Sequence, residues 1–258
     1  DLPRLAAREL AKKAIVKMLF DFAFVGGQRS SQYLEKLGMD RRRIVLNYDV
    51  VDNAFFAQGA DRVRSTSSPK SSGLPSQYFL YVGRLAPEKN LESLLRAFRQ
   101  YIDAGGTWSL VLVGKGPQEQ HLKSTSERLG IMASVRFAGF KNGPDLFPYY
   151  AFAGCFVLPS LRDPWGLVVN EAMASGLPVL VSSACGCTPE LVSPGVNGYS
   201  FAPGDEKDLA AKLMRLASLP NDSRAAMSRA ARHIISAFSP ARWAESVVEV
   251  LARGDHDG

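Results

Sequence analysis

Sulfur chemistry has little to work with here: in 258 residues there are three cysteines, Cys155, Cys185 and Cys187, and only three histidines. Three cysteines give no disulfide framework, and their spacing holds no paired CxxC zinc signature. The Cys-Gly-Cys at 185–187 reads as loop packing, and a reducing cytoplasm fits. No apolar run is long enough to cross a membrane, since "AIVKMLFDFAFVGG" is broken by Lys17 and Asp21. No signal peptide is visible. No G-x-G-x-x-G follows a strand, because "VGGQRS" and "VGKGPQ" both miss the pattern. That argues against an NAD-dependent oxidoreductase. An excess of acid is also absent: the net charge is +6, which favours anionic ligands such as phosphates. Yet no dense basic stripe interleaved with aromatics is present, and "DRRRI" and "AKK" are short, so nucleic acid is not an expected partner. The chain opens on Asp1 and runs directly into a helical pattern, as a piece of a longer protein would.

What is present is alternation. "ARELAKKAIVKMLFD" has helical spacing, "FAFVGG" reads as a short strand, "RSSQYLEKLG" as an amphipathic helix stopped by Gly38, and "RIVLNYDVV" as the next strand. Residues 57–77, rich in Ser, Gly and Pro, read as a surface linker. Beyond it, "YFLYVGRL", "SLVLVGKG", "VRFAGF", "CFVLPS" and "PVLVSS" are continuous apolar runs separated by helical segments such as "NLESLLRAFRQYID". Such runs suit strands covered on both faces. The expected fold is α/β, a Rossmann-like doubly wound parallel sheet. Three helical stretches then close the chain, the last being "PARWAESVVEVLA".

In a sheet of this kind ligands bind beyond the carboxyl ends of the strands. Those ends read Gly83-Arg84, Gly114-Lys115-Gly116, Gly139-Phe140-Lys141, Pro159-Ser160 and Ser182-Ser183, so cations cluster there. Arg84 leaves a strand and Lys89 stands just before a helix, where a guanidinium and an ammonium could hold a diphosphate or could pair with surface acids. The glycines of "VGKGP" either admit a ligand or make a tight turn. In "DPWGLVVNEAM" a loop ends at Gly166 and a helix begins, with Glu171 about 6 Å along it. A carboxylate there could accept from a ribose diol, or cap nearby backbone. Asp163 precedes the turn and is either a helix cap or a sugar contact.

Taken together, "GRLAPEKN", "VGKGP", "PSLRDPWGLVVNEAMASGLPVLVS" and "CGCTPELVSPGVNGYSFAPGD" resemble, in order and spacing, the retaining GT-B glycosyltransferases of family 4, over roughly residues 20 to 253. The resemblance implies a donor site. Arg84 and Lys89, beside Gly83, match cations that hold the donor's diphosphate. Asp163 and Glu171 match the two acids of the family's E-x7-E motif, facing the donor sugar and the ribose respectively. Gly114, Gly116, Phe140 and Lys141 match the wall around the nucleobase. Gly166, Leu167 and Val168 open the helix that meets the phosphates, and Glu190 matches a further acid near the pocket. It implies no metal and no cofactor beyond the nucleotide sugar, because cations and helix dipoles neutralise the charge.

Departures from the family pattern are visible. Asp163 replaces the usual Glu, Lys115 stands at a turn position that is often acidic, and "CGCT" replaces a common Gly-Gly pair. The family's first domain is largely missing: residues 1–56 match only its end. The expected organisation is 57–77 as linker, 78–238 as the nucleotide-sugar-binding domain and 239–258 as a helix packing back toward the first domain. The expected function is hexose transfer from a nucleoside-diphosphate sugar to a glycan or lipid-linked acceptor hydroxyl. A cytoplasmic location, with peripheral association at the inner membrane face, is compatible with the basic surface and the "AIVKMLF" helix. The rivals are a catalytically silent nucleotide-sugar-binding fragment and a GT-B nucleotide-sugar epimerase.

Overall fold

A computed structural model of the chain describes residues 2–254, and the side chains of 7–252. Its contacts separate into two compact units, one of residues up to Val51 with those from Phe238 onward, the other Asp52–Ala237.

The smaller unit contains α1 (Leu2–Leu19), β1 (Ala23–Phe24), α2 (Gln28–Lys36) and β2 (Ile44–Val45). The two strands pair in parallel, Ala23 opposite Ile44. Helix α2 ends as its sequence requires: Gly38 takes φ +91°, and the Gly38 and Met39 N–H groups return to the Glu35 and Leu34 carbonyls. This is a Schellman closure, available to glycine because it has no Cβ. Val16, Leu37, Met39 and Ile44 form the core of the unit. The strand expected over "RIVLNYDVV" is only two residues long.

The larger unit runs α3 (Asn53–Thr66), β3 (Tyr78–Val82), α4 (Leu91–Asp103), β4 (Ser109–Val113), α5 (Glu119–Arg128), β5 (Val135–Phe137), α6 (Phe147–Phe152), β6 (Cys155–Leu158), α7 (Leu167–Ala174), β7 (Val179–Ser182), α8 (Thr188–Leu191), β8 (Gly198–Phe201), α9 (Glu206–Ala217) and α10 (Asn221–Ile235). The chain then returns to the smaller unit through α11 (Pro240–Gly254), where Trp243 meets the Tyr48 ring edge-on at 6.2 Å.

One six-stranded sheet carries the larger unit, in the order β5-β4-β3-β6-β7-β8, and every pairing is parallel. Strands β3, β6 and β7 are buried along their whole length, as the continuous apolar runs required. The β3-to-β4 step and the β6-to-β7 step move in opposite directions across the sheet, so right-handed crossovers send α4 and α7 to opposite faces. Helix α4 buries Leu91, Leu94, Leu95 and Phe98 and packs with α9, while α3 and α10 pack with α7. The order reverses between β3 and β6. That is the topological switch point, and Gly83-Arg84 and Pro159-Ser160 lie at its open end.

Two expectations are corrected. The stretch 57–77 is not all linker: it begins inside α3, and only 67–77 lacks helix or strand. Asp52 caps this helix, its side chain accepting from the Phe55 N–H at 2.9 Å. Gly59 lowers the local propensity, but a Cβ there would sit 2.3 Å from the Phe147 ring, so the glycine is what admits α6. The second correction is an additional edge strand, β8. It begins at Gly198, where a Cβ would lie 1.8 Å from the Val179 carbonyl oxygen of the neighbouring strand.

Candidate functional site

At the switch point the loops are tied to one another through their main chains. The Gly83 N–H donates to the Val113 carbonyl at 3.0 Å, the Leu85 N–H to that of Lys115 at 3.0 Å, and the Gln118 N–H to that of Leu85 at 3.0 Å. One strand further out, the Gly114 N–H donates to the Gly139 carbonyl at 2.8 Å. The glycines of "VGKGP" serve this approach. A Cβ on Gly114 would sit 1.8 Å from the Gly83 oxygen, and one on Gly116 would sit 2.2 Å from the Leu85 oxygen. Their smallness admits the neighbouring loop.

Around these strand ends lies a cavity of about 390 Å3, lined by Gly83, Arg84, Gly114, Lys115, Phe140 and Lys141 among others. Gly116 is not part of the lining. Arg84 is exposed and forms no ion pair among the described residues, and the Tyr81 hydroxyl pins its turn by donating to the Arg84 carbonyl at 2.8 Å. Phe140 stands 60% exposed at the rim. An aromatic face beside three cations is suited to a ligand that joins a flat ring to anionic groups.

Lys89 closes a short 3-10 turn, Pro87–Lys89, and its Nζ donates to Asp163 Oδ2 at 2.6 Å. Both side chains are largely covered, with 21% and 10% exposed. The Leu161 N–H reaches the Glu88 carbonyl at 2.9 Å, so the β3 and β6 loops are joined twice across the switch point. On the other side the Gly186 N–H donates to the Asp163 carbonyl at 2.9 Å and the Cys187 N–H to that of Trp165 at 3.3 Å. Cys185 and Cys187 are fully buried in this seam, and burial pushes the Cys187 thiol well up. Loop packing is what they do.

Gly166, at φ +100°, caps the start of α7, and the buried Trp165 indole donates to Asn170 Oδ1 at 3.0 Å. Leu167 and Val168 form the first turn. Glu171 follows within that helix, and its Oε2 accepts from the Tyr150 hydroxyl at 2.7 Å. Burial raises the Glu171 carboxyl above its ordinary value, and the bond from Tyr150 opposes the rise. Tyr150 is itself pushed well up, by burial and then by the Glu171 charge. Asp163 is not the helix cap, and Glu171 binds a phenol rather than backbone N–H groups.

The structure therefore joins Lys89 to Asp163 and gathers Gly83, Arg84, Gly114, Phe140 and Lys141 around one cavity. Glu171 stands apart with Tyr150, and Glu190 lies half-buried in α8, beyond the β7 loop. Tyr150 carried no sequence signal, since "FPYYAF" reads as core. Among the described residues no three His, Cys, Asp or Glu side chains gather as a metal site, and no helix is long and apolar enough to cross a membrane.

Comparison with known proteins bears on the family and the fold. Residues 65–234 match the family described as glycosyl transferases group 1. Over 139 residues the chain is 37% identical to an uncharacterized glycosyltransferase of Methanocaldococcus jannaschii, covering 54% of this chain and 35% of that protein. Sucrose-phosphate synthase from Thermosynechococcus elongatus superposes with a TM-score of 0.80 at 24% identity, over 98% of this chain and 63% of that one. HepE of Anabaena, solved in complex with UDP, superposes with a TM-score of 0.75 at 24% identity, over 90% of this chain and 64% of that one. The chain thus spans little more than a third of that curated relative and under two thirds of either structure.

Proposed function

Because the chain belongs to the group 1 glycosyl transferases and has the α/β fold of GT-B enzymes, we propose that it forms the donor site of a retaining glycosyltransferase of family 4. The whole enzyme would move a hexose from a nucleoside-diphosphate sugar to a hydroxyl of a glycan or lipid-linked acceptor. The observation that carries this reading is the cavity at the switch point, where Phe140 stands beside Arg84, Lys115 and Lys141. In the proposed complex the nucleobase lies against Phe140 and Lys141, walled by Gly83 and Gly114. Arg84, which forms no ion pair among the described residues, meets the diphosphate, and the first N–H groups of α7 at Gly166, Leu167 and Val168 add their partial positive charge. Lys89 supplies a second cation, aimed by Asp163 at 2.6 Å. Asp163 Oδ1 is the acceptor proposed for the donor sugar's hydroxyls. Glu171 Oε1 is the one proposed for the ribose diol, Oε2 being engaged by Tyr150. Glu190 borders the same pocket in this reading.

The reaction would break the bond from the anomeric carbon to the diphosphate oxygen and form one from that carbon to the acceptor oxygen, on the same face, with the acceptor hydroxyl's proton passing to the departing diphosphate oxygen. Positive groups near the departing diphosphate favour the charge that grows on it in the transition state. The lipid-linked variant of the acceptor is supported by α1, which exposes Leu10, Met18 and Leu19 beside Lys13 and Lys17. Flotation with anionic liposomes tests that part alone, and protein left at the bottom of the gradient removes it.

Isothermal titration with UDP, GDP and their sugars tests the donor reading. One nucleotide should bind, and Arg84→Ala should weaken it at least about tenfold, a loss of about 1.4 kcal/mol. Absence of binding to every nucleotide overturns the reading. A product assay with the bound donor then separates transferase from silent binding module.

A further inference from the structure

At the opposite end of the same strands, where Gly154 and Pro178 lead into β6 and β7, lies a second cavity of about 390 Å3. Four arginines line it, Arg64, Arg224, Arg229 and Arg232, against one carboxylate, Asp61. Two of the four have a structural task. Arg64 Nη1 and Arg232 Nη2 share Asp61 Oδ1, at 2.8 and 2.6 Å. They also hold the C-terminal end of α7, reaching the Ser175 carbonyl at 2.7 and 3.4 Å. One carboxylate thus serves two guanidiniums, and burial together with the Arg232 charge pushes Arg64 below the ordinary arginine value.

That task does not extend to the other pair. Among the described residues Arg224 binds only neutral acceptors, the carbonyls of Ala217 and Leu219 and the Asn221 side chain, and it lies over the Trp108 ring at 5.3 Å. Arg229, exposed in the middle of α10, forms no ion pair among the described residues. The cavity therefore holds three positive charges more than negative ones. An uncompensated cluster of planar guanidiniums around a concavity matches a compact dianion with several acceptor oxygens. A monoanion would leave most of that charge unanswered.

We propose that this arginine cavity is a second binding site, separate from the switch-point cavity, for a small phosphate-bearing group. A phosphomonoester, a diphosphate or a phosphate headgroup presented by a lipid surface would supply the same chemistry. The site does not depend on the donor reading, since it shares no lining residue with the first cavity.

The test is calorimetry of the full chain with inorganic pyrophosphate. Two sites are expected. Arg84→Ala removes one, and Arg229→Glu weakens the other at least about tenfold while leaving the first in place. Lys207→Glu, a charge reversal at an exposed residue outside the cavity, should change neither. Arg224→Ala provides a second lesion if Arg229→Glu fails to fold. Co-sedimentation with vesicles of phosphatidylglycerol against phosphatidylcholine identifies the source. If only the anionic vesicles bind, and Arg229→Glu abolishes it, the phosphate belongs to a lipid. The proposal is overturned if Arg229→Glu alters neither pyrophosphate nor vesicle binding, or if Lys207→Glu weakens binding as much. If no nucleotide binds while the Arg229-dependent pyrophosphate site remains, the donor reading fails and this one stands.

Discussion

Burial raises the Glu171 carboxyl, and the 2.7 Å bond from Tyr150 restrains the rise. The folded chain therefore keeps that proton at pH values where the unfolded chain has released it. Between the ordinary carboxylate value and the raised one the folded state binds more protons, so stability falls as pH rises through that window and stays reduced above it. Glu171→Gln keeps the shape and can still accept from Tyr150. It should raise the melting temperature at pH 7 and flatten its dependence on pH, while weakening nucleotide binding. Thermal unfolding from pH 4 to 8 measures the first effect and calorimetry the second. A melting temperature lowered at pH 7 would contradict the argument. Tyr150→Phe takes the donor from a charged acceptor and should cost about 1.5–3 kcal/mol in urea unfolding at neutral pH. The two acids were legible in the sequence because carboxylates bracketing an apolar run demand partners. The partners were not equally so. Lys89 was singled out as a cation just before a helix, whereas Tyr150, 21 residues before Glu171, is indistinguishable in sequence from any other core aromatic.

Elements were legible where one physical signal dominated. Helix α4 has its apolar residues on one side, and β3, β6 and β7 are uninterrupted apolar runs. The sequence misled where a residue answered to tertiary contact. Gly59 argues for a loop by propensity, yet sits inside α3 because the Phe147 ring occupies the space of its missing Cβ. Gly198 weakens a strand by propensity, yet starts β8 because the backbone of β7 is too close for a side chain. The same reasoning yields a prediction for the β4 loop. Gly114→Ala forces a Cβ to within 1.8 Å of the Gly83 oxygen at φ +144°. It should cost about 1–3 kcal/mol or more in unfolding free energy and reduce nucleotide binding with it, because both loops line the cavity. Gly105→Ala, also at positive φ but with nothing nearby, should carry the backbone strain alone and leave binding unchanged. Equal losses of binding in both variants would refute the contact argument.

For the whole molecule, the α/β class followed from alternation of short strands and helices, and the switch point from the order in which they pair. Division of the chain was harder to read: the units meet at Val51 and Asp52, whereas composition points to 57–77, because polarity marks exposure and not the limit of a core. The units also differ in how much they bury. Val16, Leu37, Met39 and Ile44 make the core of the smaller one, against six strands and their helices in the larger. Small cores give low opening free energies. Hydrogen exchange should show β1, β2 and α11 opening on the order of a few kcal/mol more easily than β3, β4, β6 and β7. Uniform protection across the chain would show a single cooperative block. The rim of the switch-point cavity is sewn together by main-chain atoms, as in Gly83 to Val113, Leu85 to Lys115 and Gly114 to Gly139. Lys115, Phe140 and Lys141 hang from that seam without holding it. A lineage carrying this fold can therefore exchange those side chains one at a time, each intermediate still folding, so that a change of nucleotide is within reach of ordinary point mutation while the seam itself stays fixed.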